Sequence, residues 1–131
     1  MKVREKGKRG ERLWRDQLRK HGFSDAKRTG HLQNQMGSQI PDVTCDSLPI
    51  HFEVKDTEKC QPRAFLAQAC KDARKGSLPI IAHKASRQPW TAILRASDLL
   101  LLLEHVDVTA LSEAIRLREA ETTMEETPSP N

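Results

Sequence analysis

Pro49-Ile50-His51-Phe52-Glu53-Val54-Lys55-Asp56 is the stretch that decides how the chain is read. Ile50, Phe52 and Val54 alternate with His51, Glu53 and Lys55. Successive side chains of a strand point to opposite faces, so the first three enter a core and the second three sit side by side on the other face. The turn Asp46-Ser47-Leu48-Pro49 separates this strand from another expected over 40–45, which holds Pro41-Asp42. On adjacent strands joined by a turn, Asp42 and Glu53 can converge. Two carboxylates without a counter-charge raise each other's pKa. A hard divalent cation resolves this, and Mg²⁺ takes a few carboxylate oxygens while keeping waters and substrate phosphates. Lys55 shares the face of Glu53 and can orient a nucleophile or stabilise charge building on phosphorus. That set is what metal-assisted phosphodiester hydrolysis requires. Glu11, among the basic residues of the first helix, can add a third carboxylate or position a water. Singly, each residue has an ordinary reading: a turn aspartate, a solvated strand face, a helix salt bridge. Their conjunction on the predicted strands carries the argument.

Working outward, Leu13, Trp14 and Leu18 give an apolar stripe on a helix over 8–21, stopped by Gly22. A short strand is expected over 23–29 and a loop over 30–39, which lacks periodicity and holds two glycines. Pro62 suits the first position of a helix that runs to about Lys75 and stops at Gly76. Leu78–Ala82 and Trp90–Leu94 read as buried strands. Ser97 reads as the cap of a short helix holding the leucine run 99–103, and 109–126 as an amphipathic, acidic last helix. The tail 127–131 is expected to be disordered. The order α-β-β-β-α-β-β-α-α describes an α/β fold, a mixed β-sheet flanked by helices. The expectation is a single domain over 1–126.

Composition bounds the rest. A chain of 131 residues suits one modest core, and 37% hydrophobic with 31% charged residues suits a folded chain. The longest apolar run is five leucines, against about 20 apolar residues for a membrane span. No apolar segment follows Met1-Lys2-Val3-Arg4-Glu5-Lys6, so a secretory signal is not expected. Three cysteines without CxxC spacing argue against a disulfide framework and a zinc ribbon, and point to an intracellular protein with reduced thiols. The five histidines show no HxH or HExxH spacing, and no glycine-rich phosphate loop suggests an NTPase. His51 reads as a half-exposed strand residue, with contact to the metal site as the alternative. Gln68 and Lys71 read as helix surface, with the same alternative.

The net charge of +4 is unevenly spread: +7 over 1–30, +2 over 31–103 and −5 over 104–131. The basic front suits a polyanionic partner, most simply nucleic acid; the other reading is a solvated face balanced by the acidic last helix. With three Phe, two Trp and no Tyr, a base-stacking single-strand binder is disfavoured. Candidate phosphate contacts are Lys6, Lys8, Arg9, Arg12, Lys27, Arg28, Lys59, Lys71 and Arg74.

Pro41-Asp42, ten intervening residues, then Glu53-Val54-Lys55 resembles the PD-(D/E)XK nuclease motif. Lys6-Gly7-Lys8-Arg9-Gly10-Glu11-Arg12 with Leu18 and Lys20-His21-Gly22-Phe23 resembles the opening helix of the archaeal Holliday junction resolvases. Gly37-Ser38 with Pro41-Asp42-Val43 resembles their second block. Phe52-Glu53-Val54-Lys55 with Thr57 and Lys59 resembles their third, and Leu78–Ala82 with Trp90 their later core strands. The similarity spans about residues 6–95. It implies a restriction-endonuclease-like fold and a Mg²⁺-dependent endonuclease, with Mn²⁺ as a substitute, that cuts four-way DNA junctions as a homodimer. On this resemblance Asp42, Glu53 and Glu11 hold the metal, Lys55 is the catalytic lysine and Ser38 the loop serine near the site. A two-fold dimer matches the symmetry of a junction, with the leucine run, Trp90 and Ile93 as its apolar patch; the leucines could equally fill the monomer core. Two readings compete: a nuclease of the same fold acting on flaps, nicks or restriction targets, and a non-catalytic nucleic-acid-binding protein. The expected location is cytoplasmic and DNA-associated, in an archaeon, a phage or a mobile element.

Overall fold

The computed structural model of the chain describes residues 3–30 and 41–126. The loop expected at 30–39 and the tail 127–131 fall almost wholly outside the described residues. Contacts divide the chain into two compact units, residues 1–95 and 96–131.

The first unit is built from helix α1 (Val3–Lys20), strands β1 (Lys27–Arg28), β2 (Val43–Thr44) and β3 (Ile50–Asp56), helix α2 (Pro62–Asp72), and strands β4 (Leu78–Lys84) and β5 (Thr91–Ile93). The five strands form one sheet in the order β1-β2-β3-β4-β5. Only β3 and β4 pair in parallel, in register from Ile50 against Leu78 to Asp56 against Lys84; the other three pairings are antiparallel. Parallel neighbours need a crossover, which α2 supplies. The result is a mixed sheet flanked by helices, the restriction-endonuclease-like arrangement the sequence implied.

Helix α1 begins five residues earlier than the apolar stripe indicated, because the stripe reports only the part that faces the core. Its end follows from Gly22. With φ of +94° this glycine lets Phe23 N donate to Leu18 O at 3.0 Å and Gly22 N to Arg19 O at 3.1 Å. That is a Schellman stop, for which a residue with no Cβ is favoured. Trp14 packs edge-on against Phe52 (5.6 Å between ring centres) and at a tilt against Trp90 (5.1 Å), which joins α1 to β3 and to the approach to β5. Leu18, Ala26, Val43, Cys45, Phe52 and Ile80 form the centre of this core.

Gly10 has a positional meaning. A Cβ there would lie 2.8 Å from Asp56 Cβ, so the helix can approach the C-terminal end of β3 only because residue 10 has no side chain. The contact is closed by Arg9, whose Nε and Nη2 donate to Asp56 Oδ2 at 3.2 and 2.9 Å.

The turn between β2 and β3 is tied to the segment before β1. Asp25 accepts from Ser47 N at 2.8 Å, Ser47 Oγ at 3.0 Å and Cys45 Sγ at 3.0 Å. These donors, led by the Cys45 thiol, hold the Asp25 carboxyl down to about 2.

The second unit contains α3 (Ala96–Glu104) and α4 (Val108–Glu126). Helix α3 starts at Ala96, so Ser97 lies inside its first turn and is not its cap. Leu99, Leu100, Leu101 and Leu103 are 44–61% exposed. No helix among the described residues is long and apolar enough to cross a membrane.

Candidate active site

Strand β3 is covered on both faces, and that gives the site its character. Phe52 meets Trp14 of α1 on one face. On the other, the Lys55 ammonium lies 5.3 Å from the centre of the Phe65 ring of α2. Strands paired in parallel are commonly buried on both faces, and their polar residues are then expensive unless partnered. His51 and Glu53 are both buried. His51 Nε2 donates to Glu53 Oε1 at 2.9 Å, and its side chain is fully enclosed. His51 is thus neither half-exposed nor incidental: it is the direct hydrogen-bond partner of the central glutamate. The signal was present in the sequence, since residues i and i+2 of a strand share a face. What the sequence lacked was the burial of that face.

Asp42 enters from the segment leading into β2. Its backbone N donates to Phe52 O at 3.0 Å, and its carboxylate Oδ2 accepts from Val54 N at 2.8 Å. Thr29 fixes the same segment from the β1 side: Thr29 N donates to Asp42 O at 3.2 Å and its hydroxyl donates to Pro41 O. The carboxylate is therefore held against the middle of β3, beside Glu53.

The electrostatics agree with that placement. Burial pushes the Glu53 carboxyl above the usual carboxylate range; the His51 hydrogen bond opposes this, and the neighbouring Asp42 charge adds to it. Glu11 is raised as well, first by burial and then by the same Asp42 charge, against the pull of Arg28. One carboxylate thus acts on two others, one from α1 and one from β3. Arg28 Nη2 stands 3.5 Å from Glu11 Oε1, a buried oxygen with no hydrogen-bond partner among the described residues. Among the described residues, no three His, Cys, Asp or Glu side chains lie close enough to enclose a metal ion by themselves. The donor set still fits a hard divalent cation. Asp42 and Glu53 supply carboxylate oxygens that repel each other without one, and Mg²⁺ accepts one or two carboxylates with waters in its remaining positions.

Ser38 lies outside the described residues. The basic candidates differ in their partners. Arg9 is bound to Asp56 and Arg28 faces Glu11. Lys6 is 3.7 Å from Glu58. Lys8, Arg12, Lys27, Lys59, Lys71 and Arg74 are exposed, as is Gln68. Arg74 also lines a cavity of about 180 Å³ with His51, Thr44 and Pro41.

A mixed sheet that carries Asp42, Glu53 and Lys55 on neighbouring central strands defines the PD-(D/E)XK class of nucleases. A protein-family model described as "Phage putative PDDEXK endonuclease" matches residues 2–127. The chain belongs to this phage endonuclease family. No curated protein and no solved structure matches it.

Proposed function

We propose that the chain is a metal-dependent endonuclease that resolves four-way DNA junctions by paired cuts, acting as a homodimer. The observation that carries the nuclease chemistry is the approach of Asp42 to Glu53 with Lys55 two residues further along β3. Asp42 and Glu53, with Glu11 at the edge, are the residues that would hold Mg²⁺ or Mn²⁺. When bound, such a cation offsets charge on the phosphate and makes water a better nucleophile at neutral pH.

The chain's own groups do the rest. The Lys55 ammonium, which lies against the Phe65 ring, would orient the attacking water and balance charge developing on the phosphate oxygens. His51 fixes the rotamer of Glu53 from behind. The covered β3 face keeps bulk water from screening these charges.

Junction selectivity rests on the resemblance of residues 6–95 to the resolvases. The homodimer is supported by the exposed leucines of α3, which a second copy can cover.

One cleavage assay tests the reading. The protein meets a labelled four-way junction, a flap and a plain duplex, with Mg²⁺ or with EDTA, beside Glu53→Ala and Asp42→Asn. Symmetric paired nicks on the junction alone, lost with EDTA or either variant, are expected. Cutting of flaps or duplex keeps the nuclease and discards the junction. Tight binding without any cutting favours the binding protein. If Asp42→Asn lowers binding and cutting equally, the metal-site assignment is wrong.

A further inference from the structure

A second polar cleft opens on the opposite face of β3. Asp56 directly follows Lys55, and strand alternation sends it to the other side of the sheet. There Arg9, Leu13, Asp56, Lys84, Ser86 and Arg87 line a cleft of about 410 Å³, between α1 and the turn after β4. Asp56 is the one acid among these residues, and it is consumed. Arg9 donates to it twice, and its side chain is 3% exposed while that of Arg9 is 44% exposed. The cleft therefore shows solvent a guanidinium and hides its carboxylate. Lys84 and Arg87 add two further positive charges, and neither makes an ion pair among the described residues.

Arg87 supplies an independent observation. Its φ is +62°, and it is the one non-glycine among the described residues in the left-handed region. Glycine would sit there without strain. The turn carries an arginine in that position instead, with its side chain on the cleft. No aromatic ring lines the cleft, so it has no platform for a base.

We propose that this cleft seats a phosphodiester of the DNA backbone away from the one being cut, held by Arg9, Lys84 and Arg87. The inference rests on the nuclease reading for its ligand. The cleft and the active-site face lie on opposite faces of β3, so a DNA backbone reaches both only by passing over the C-terminal end of that strand, where Lys55 and Asp56 follow each other. Contacts of this kind position the DNA without reading its sequence.

The test is fluorescence anisotropy with a duplex and a four-way junction, in EDTA, over a range of salt, for the wild type, Arg87→Gly and Lys84→Gln. Each variant is expected to weaken binding to both DNAs alike, by about three- to tenfold, and to reduce the slope of log affinity against log salt by about 1. Arg87→Gly is also expected to keep or raise the melting temperature, because glycine accepts the turn's φ. An arginine held for the turn alone would leave DNA affinity untouched. Unchanged affinity and salt slope in both variants overturn the proposal. So does a wild type that binds no DNA, or saturable binding of a mononucleotide that Arg87→Gly abolishes while DNA affinity stays intact. EDTA keeps the assay independent of cutting. A protein that needs Arg87 to bind DNA yet never cuts overturns the nuclease reading and leaves the cleft standing; one that cuts and ignores Arg87 does the reverse.

Discussion

The imidazole of His51 and the carboxylate of Glu53 meet at 2.9 Å on the covered face of β3, with the imidazole wholly enclosed. A buried carboxylate with one strong donor has one preferred orientation, and that orientation decides whether Glu53 can share a cation with Asp42. His51→Ala is expected to slow cleavage about 10- to 100-fold and to raise the Mg²⁺ concentration needed for half-maximal rate. His51→Gln keeps a donor near the position of Nε2 and should recover part of the loss. A Mg²⁺ titration of the cleavage rate for the three proteins checks this. Equal metal dependence in all of them would leave His51 a packing residue only.

The carboxyls of Glu53 and Glu11 both lie above their usual value of 4.5, chiefly through burial. Over a window upward from 4.5 the folded chain holds protons that the unfolded chain has released. The unfolded state then binds fewer protons, so stability falls as pH rises through that window and levels off above the folded-state values. Asp25 works the other way and elsewhere: held at about 2, it adds stability above 3.8 that is lost as pH falls towards 2. In EDTA the melting temperature should therefore be higher near about pH 5 than near about pH 8. Glu53→Gln should raise it at the higher pH and flatten the slope. Thermal melts across that range decide the matter, and a slope that Glu53→Gln leaves unaltered would count against it.

Among the described residues the nine elements follow the order read from the chain, and the clearest announced themselves locally: α1 by Leu13, Trp14 and Leu18, β3 by its alternation, α2 by Pro62, β4 by its apolar run. The ends were less legible. The first 27 residues hold an 18-residue helix and the short strand β1 is only two residues long, since strand ends are set by pairing partners that a local pattern does not contain. The pairing of Asp42 with Glu53 was legible from their places on neighbouring strands. The role of His51 was not. Alternating polar residues on a strand ordinarily mark a solvated face, and only the α2 crossover shows that this one is closed. The acidic neighbours of Arg9 and Arg28 were not legible either: composition shows two cations, and only the fold sets them against Asp56 and Glu11.

The Lys55 ammonium lies over the Phe65 ring, 5.3 Å from its centre. A partly desolvated contact of this kind contributes about 0.5–2 kcal/mol. Phe65→Leu keeps most of the apolar volume and removes the ring face. Cleavage is expected to slow by about two- to thirtyfold, the rate equivalent of that range, with DNA affinity in EDTA unchanged. Lys55→Met should abolish cleavage, again without loss of binding. Single-turnover cleavage beside anisotropy separates the two effects. A Phe65→Leu protein that cuts at the wild-type rate would show that the ring does not hold the lysine where the chemistry needs it.

Gly7 and Gly10 lie one turn apart on α1, yet adding a methyl group should shift stability in opposite directions. A Cβ on Gly7 meets nothing within 4 Å, whereas one on Gly10 meets Asp56 Cβ at 2.8 Å. Glycine inside a helix costs about 0.5–1 kcal/mol relative to alanine, so Gly7→Ala should stabilise the chain by about that amount. Gly10→Ala has the same propensity gain, but Asp56 Cβ belongs to a strand and not to a flexible side-chain end. Overpacking at such a contact typically costs about 1–3 kcal/mol. The helix would have to lift from β3 and stretch the Arg9–Asp56 bonds, so the variant should be destabilised by about 1–2 kcal/mol net. It should also weaken DNA binding, because Arg9 and Asp56 line the cleft that the DNA backbone would occupy. Urea melts of both variants check the signs. A Gly10→Ala protein as stable as Gly7→Ala would mean that α1 does not sit as closely on the end of β3 as the contact requires.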